Sequence, residues 1–243
     1  MVDTGFPPVR LHRSSSGDQS ITVRGPAPDP VQEPWCRALN FVVAMVGIIV
    51  TAPLMLLVAL AVRLSSPGPV LYTQPRVGID RRHGTPPPEV ASRRKVDLGG
   101  RLFTIYKFRT MRMEDGPARQ VWASLDDPRI TPVGRFLRKS RLDELPQLFN
   151  VLRGDMNVVG PRPEQPRIFQ ELRQQVDGYQ LRQQVLPGIT GWAQVNRTYD
   201  QSLDDVKHKV ALDLEYIRKR TAWSDFKIMV MTVPVMLFRK GAI

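Results

Sequence analysis

From Ala38 to Val62 the chain is apolar for 25 residues, interrupted only by Asn40, Gly47, Thr51 and Pro53 and bounded by Arg37 and Arg63. As a helix this run is long enough to span a bilayer, so the rest of the chain has to fold beside a membrane segment. A cleaved signal peptide fits poorly: Ala59-Leu60-Ala61 has the look of a cleavage site, but the run is too long and starts too far from Met1. A spanning helix and a re-entrant one both remain open. Pro53 removes a backbone donor near the middle and invites a bend, with Thr51 at hand to bond freed carbonyls. Arg24 and Arg37 precede the run and Arg63, Arg76, Arg81 and Arg82 follow it, a symmetry that favours both ends on the cytoplasmic side.

The 243 residues suffice for one domain with a core plus this membrane element. A net charge of +12 calls for an anionic partner: nucleic acid, a lipid surface or a phosphorylated substrate. Aromatics make up only 7% and do not interleave with basic residues as in single-strand binders, which makes nucleic acid the weakest candidate and leads to an expectation of none as partner. One cysteine excludes an internal disulfide framework, and it forms no zinc-like spacing with the three histidines. The expected organisation is a disordered Pro/Ser/Arg-rich arm (1–33), a membrane helix (34–64) and a cytoplasmic domain (65–243).

Within that domain, Ser65 to Tyr72 reads as a turn into a strand, and 80–100 as a loop. Phe103 to Arg109 alternates like a half-buried strand with Lys107 and Arg109 on one face. A loop with a short helix is expected at 112–134, with a turn at Asp126-Asp127-Pro128-Arg129. Glu171 to Val185 has a polar helical pattern ended by Pro187-Gly188. Leu203 to Arg220 carries a core stripe of Val206, Val210, Leu214 and Ile217. Phe226 to Phe238 is apolar but too short to span, hence an interfacial helix. The fold class is α+β, mainly helical, with a few short strands.

The chemistry concentrates in Asp143-Glu144-Leu145-Pro146-Gln147 and the residues up to Gly160-Pro161-Arg162-Pro163-Glu164. Leu145, Leu148, Phe149 and Leu152 follow helical spacing, Gly154 is placed to stop the helix, and Pro146 is tolerated in a first turn. Asp143 then falls at or next to the N-cap, where the helix dipole keeps a carboxylate ionised for work as a nucleophile or metal ligand. Neighbours on a helix diverge by about 100°, so Asp143 and Glu144 serve different atoms. Arg135, Arg138, Lys139 and Arg141 before the pair, and Arg153, Arg162 and Arg167 after it, fit a pocket for phosphates with a divalent ion between negative groups.

Lys107-Phe108-Arg109-Thr110-Met111, Asp143-Glu144-Leu145-Pro146-Gln147, Gly160-Pro161-Arg162-Pro163 and Pro187 to Val195, in this order, resemble the bacterial sugar transferase family, the monotopic polyprenyl-phosphate phosphoglycosyltransferases. The likeness runs from about residue 38 to the end. It implies transfer of a phospho-sugar from a UDP-sugar to a polyprenyl (undecaprenyl) phosphate, with UMP as by-product, as the first membrane step of exopolysaccharide or other glycoconjugate synthesis. By the same resemblance Asp143 is the nucleophile and Glu144 its assisting carboxylate. Lys107, Arg109, Arg138, Gln147 and Arg162 bind substrate, Mg2+ is the cofactor with Asp143 or a nearby acid such as Asp155 holding it, and Pro187 to Gly191 helps to hold the nucleotide-sugar. The family's membrane helix is re-entrant and bends at a Ser-Pro pair, for which Thr51 and Ala52-Pro53 stand here. Relative to the family, 80–100 is an insertion. The implied location is the bacterial inner membrane, with the site on its cytoplasmic face and lipid as a partner; homo-oligomers are left open. A non-catalytic scaffold and a nucleotide-sugar hydrolase are the competing classes. The intact acid pair argues against the first and the membrane helix against the second.

Overall fold

The computed structural model describes residues 34–80, 99–113, 127–196 and 202–237. The expected N-terminal arm, nearly all of the expected 80–100 loop and much of 112–134 lie outside the described residues. What is described is mainly helical, with four short strands.

Helix α1, Pro34–Ser65, takes in the whole apolar run. Its secondary structure continues unbroken through Pro53, where a bend is expected from the sequence. The Thr51 hydroxyl donates to the Gly47 carbonyl at 2.6 Å and so does not cover Ile49, whose carbonyl loses its usual donor to the proline. Much of the helix surface, including Val46, Ile49, Val50, Leu56, Leu57 and Leu60, is exposed and apolar. Towards each end, by contrast, one face is buried against the rest of the protein: Cys36, Asn40 and Ala44 at one, Val58 and Val62 at the other.

At the N-terminal end, Arg37 donates to the carbonyls of Val151 (2.7 Å) and Met156 (3.2 Å), and Asn40 Oδ1 accepts from the N–H groups of Val158 and Val159. Asn40 Nδ2 donates to Asp225, which also accepts from the Tyr216 hydroxyl at 2.7 Å. At the C-terminal end, Val58 and Val62 pack with Phe108 and Leu137. Arg109 there donates to the carbonyls of Ser66 and Pro67, each at 2.6 Å.

Strands β1 (Leu71–Val77) and β2 (Leu102–Phe108) form an antiparallel pair, and β3 (Asn157–Val159) and β4 (Gly188–Thr190) a parallel one. In β2 Phe103, Ile105 and Phe108 are buried, close to the expected alternation. Helix α2, Pro132–Ser140, starts with a Thr131 cap accepting from Gly134 N–H and a proline at the first position. Leu142–Glu144 then makes a 3-10 turn, and α3 follows as Gln147–Arg153.

Asp143 therefore sits in the turn before α3, four residues ahead of its first residue, and Pro146, not Asp143, occupies the N-cap position. Gly154 ends α3 in the left-handed conformation, as expected. Of the expected stripe, Leu148 and Leu152 pack against the core beside Ala44 and Val151, and Leu145 packs beside Leu137, whereas Phe149 is 46% exposed; Gln147, Asn150 and Val151 are buried as well. Asn150 points inward because the free edge of β2 offers it unpaired backbone groups.

Helix α4 is Pro166–Gln175, earlier than the polar pattern at 171–185 suggests; Gly178, left-handed, turns the chain into a 3-10 segment, Tyr179–Gln184. Helix α5 (Trp192–Asn196) follows β4. Helix α6 (Leu203–Lys219) buries Val206, Val210, Leu214 and Ile217, as its stripe requires. Helix α7 (Ala222–Leu237) buries Ser224, Asp225 and Ile228 and exposes Trp223, Phe226, Val230 and Val233. The main core joins α4, α6 and α7 around Phe169, Tyr179, Val210 and Ile228.

Candidate active site

The site forms where β2, the turn before α3 and the segment after β3 meet. Glu144 Oε1 accepts from Lys107 Nζ at 2.8 Å and from Arg162 Nη2 at 2.8 Å, with Arg141 Nη1 at 3.9 Å. Burial alone would raise the Glu144 carboxyl, but Arg162, Lys107 and Arg141 together hold it well below the usual carboxylate range. Asp143 is also buried, yet among the described residues its carboxylate accepts no hydrogen bond and pairs with no cation. Burial and the adjacent Glu144 charge push it up to about 6, opposite to the lowering that an N-cap position implies. It remains mostly ionised at neutral pH. The pair thus consists of one carboxylate fixed by cations and one left unpaired.

Arg141 adopts the left-handed conformation (φ 58°), and its N–H donates to the Arg138 carbonyl at 3.2 Å. This turn brings the acids round between α2 and α3. Arg162 is positioned through its own backbone and its neighbours. Gly160 N–H donates to Thr190, the Arg162 carbonyl accepts from Arg182, the Pro163 carbonyl accepts from Arg76, and Glu164 pairs with Lys209 at 3.1 Å. Arg182 is itself buried and paired with Asp213 at 2.7 Å.

Of the cations expected around the acids, the structure brings Lys107, Arg141 and Arg162 to Glu144. Arg138 lies within electrostatic reach of Asp143 while its Nε donates to Thr110 Oγ1 at 3.0 Å. Arg135 and Lys139 are exposed on α2, Arg153 pairs with Asp155, and Arg167 with Glu171. Arg109 does not line the site: it is buried against carbonyls at the end of α1. Asp155 follows the C-terminal end of α3, away from Asp143, and is paired with Arg153. Gln147 is 2% exposed, with a buried Nε2 that has no partner.

In the Pro187 to Gly191 stretch, Pro187 shares the lining of a small cavity with Arg162, while the glycines are packed on protein. A Cβ on Gly188 would overlap Gly160 N, and one on Gly191 would overlap Gly160 O, so these glycines let β3 and β4 approach closely. Sequence reasoning missed Arg76, Glu164, Lys209 and Arg182, whose roles rest on contacts between distant segments. Thr131-Pro132, a helix-start signal, was the one local cue to α2.

The sequence profile described as "Bacterial sugar transferase" matches residues 31–239. The chain belongs to the bacterial sugar transferase family. Among family relatives, "UDP-glucose:undecaprenyl-phosphate glucose-1-phosphate transferase" of Escherichia coli (strain K12) is 41% identical over 81% of this chain and 39% of that protein. The protein of the same name in Caulobacter vibrioides is 40% identical over 97% of this chain and 81% of its own. "UDP-N-acetylgalactosamine-undecaprenyl-phosphate N-acetylgalactosaminephosphotransferase" of Aeromonas hydrophila is 38% identical over 88% of this chain and 46% of that protein. The chain thus spans about two fifths of the length of the Escherichia coli family member and four fifths of the Caulobacter one.

Proposed function

We propose that the chain transfers a phospho-sugar from a UDP-sugar to a polyprenyl phosphate. The observation that carries this is the division of labour in the acid pair: Glu144 is clamped by Lys107 and Arg162, while Asp143 is unpaired beside it. In the proposed route an Asp143 oxygen attacks the donor's β-phosphorus, the bond from that phosphorus to the bridging oxygen breaks, and UMP leaves with its electrons. The polyprenyl phosphate oxygen then attacks the same phosphorus, releasing the Asp143 carboxylate and forming the diphosphate. Dividing the transfer in two predicts ping-pong kinetics. Lys107, Arg141 and Arg162, with Arg138 nearby, offset the charge that builds on the phosphoryl oxygens.

Mg2+ fits this donor set. Among the described residues no three acidic, His or Cys side chains converge. Magnesium, however, is commonly held by one or two carboxylates together with substrate phosphates, which is what an unpaired Asp143 offers. When bound, the ion supplies further neutralisation of phosphate charge.

For the membrane we infer a re-entrant α1. From Asn40 to Val62 the helix advances about 33 Å, roughly a hydrocarbon thickness, yet both residues are buried against the one domain. A helix crossing the bilayer would leave one end out of that domain's reach. Cysteines placed at Trp35 and Leu64, both strongly exposed, should resist an impermeant maleimide in intact cells and react after lysis. Labelling of either from outside would make α1 a spanning helix.

The deciding experiment measures UMP release by purified protein in detergent with Mg2+ and a UDP-sugar panel headed by UDP-glucose and UDP-N-acetylgalactosamine, with and without undecaprenyl phosphate. The expected result is UMP with at least one sugar, continuing beyond one turnover only with lipid, and lost on chelation of the metal. Lipid-independent turnover would make the protein a hydrolase, and no UMP at all would favour a scaffold.

A further inference from the structure

Asn150 lies on α3, is fully buried, and uses both ends of its carboxamide. Nδ2 donates to the Thr104 carbonyl at 2.7 Å, and Oδ1 accepts from the Tyr106 N–H at 3.1 Å. These two backbone groups belong to the edge of β2 that β1 leaves uncovered; among the described residues the sheet has two strands. A carboxamide carries the same donor and acceptor as a peptide group. Asn150 therefore stands in for a third strand, and closes an edge that would otherwise hold unpaired polar groups.

Its backbone has a second task. The Asn150 carbonyl accepts from the N–H groups of Asp155 (3.0 Å) and Met156 (3.4 Å) and helps to end α3 at Gly154. One residue thereby ties the strand that carries Lys107 to the helix whose entry turn carries Asp143 and Glu144. Lys107 directly follows Tyr106, so the register set at the Tyr106 N–H fixes where the ammonium can reach. No apolar residue supplies either half of that pairing, and an ionised aspartate, of the same size, supplies only the acceptor.

We propose that Asn150 is a positioning residue for the phospho-sugar transfer: by acting as a third strand on β2 it sets Lys107 against Glu144. The inference rests on the function proposed above. Asn150→Asp keeps the acceptor for Tyr106 but turns a carboxylate towards the Thr104 carbonyl; Asn150→Ser, too short to bridge both groups, replaces it if the acid does not fold.

The test uses the full chain in detergent and compares wild type, Asn150→Asp, Lys107→Met and the double variant. Two quantities are followed, kcat for UMP release and hydrogen exchange at the Tyr106 amide. Asn150→Asp should lower kcat roughly tenfold to a hundredfold, the scale of an ångström-sized displacement, with a smaller change in donor KM, and Asn150→Ser, run alongside and withdrawing the acceptor, should speed exchange at Tyr106. In the Lys107→Met background the same substitution should cost little more, because the group it acts through is gone. A merely structural role would instead multiply the two losses, and that result would overturn the proposal, as would unchanged exchange at Tyr106 in Asn150→Ser. A wild-type chain that releases no UMP would overturn the functional reading and the catalytic half of this inference with it. The exchange measurement would then still decide whether the carboxamide closes the strand.

Discussion

At the scale of single residues, the arrangement around Glu144 makes the two acids unequal. Asp143→Asn should abolish turnover in the UMP assay, since an amide is neither nucleophile nor anionic ligand; retention of most activity would remove Asp143 from the chemistry. The Asp143 carboxyl, raised to about 6 by burial and by Glu144, must be ionised to attack. Single-turnover UMP release should therefore fall as pH drops through about 6, with Glu144, held far lower, still charged. Asp143, Glu144 and Arg162 stood out in the sequence because acids crowded by cations have few bland explanations, whereas Lys107 was singled out by the family resemblance; the contact of Lys107 and Arg162 with Glu144 is what the structure adds. Arg109 was misjudged for a physical reason: a guanidinium is as well satisfied by helix-end carbonyls as by phosphate, and strand alternation does not distinguish the two.

At the scale of elements, the support beneath Arg162 is itself vulnerable. Arg182 and Asp213 are almost wholly buried at 2.7 Å, and Arg182 also donates to the Arg162 carbonyl. Asp213→Ala strands a buried guanidinium and should cost about 3–5 kcal/mol in denaturant unfolding. A loss below about 1 kcal/mol would mean that water reaches the arginine. Helix α6 could be read from its stripe because its period, its Ser202 cap and its core all agree. Helix α3 was legible in part: Leu145, Leu148 and Leu152 pack inward as apolar spacing requires, while Asn150 is turned in by the polar edge of β2 and Phe149 is left out. The glycines near 188 were ambiguous for a similar reason: close approach of a second backbone and of a ligand ask the same thing of a glycine.

At the scale of the whole molecule, Glu164 and Lys209 join the Arg162 segment to α6, and the joint is sensitive to acid. Burial opposes ionisation of Glu164, but Lys209, Arg182 and Arg76 outweigh it and bring the carboxyl to about 2, below its ordinary 4.5. With the folded value depressed, the stabilisation is complete above about 4.5 and is lost as pH falls from there towards 2. Urea midpoints of wild type should drop through that window more steeply than those of Glu164→Gln, and parallel curves would count against the linkage. The long apolar helix was plain from composition, whereas its attachment at both ends was not, since Arg37 and Asn40 find their partners more than 110 residues away.

That separation also sets an order of events during synthesis. Arg37 ends beneath α3 by bonding the carbonyls of Val151 and Met156, 114 and 119 residues later in the chain. At 5–20 residues per second, the ribosome needs roughly 6 to 24 s to deliver them. For that interval the helix already exists while its docking site does not, so it must enter the lipid first and be tethered afterwards. A nascent chain stalled before residue 156 should accordingly sediment with membranes while its N-terminal helix end remains open to protease.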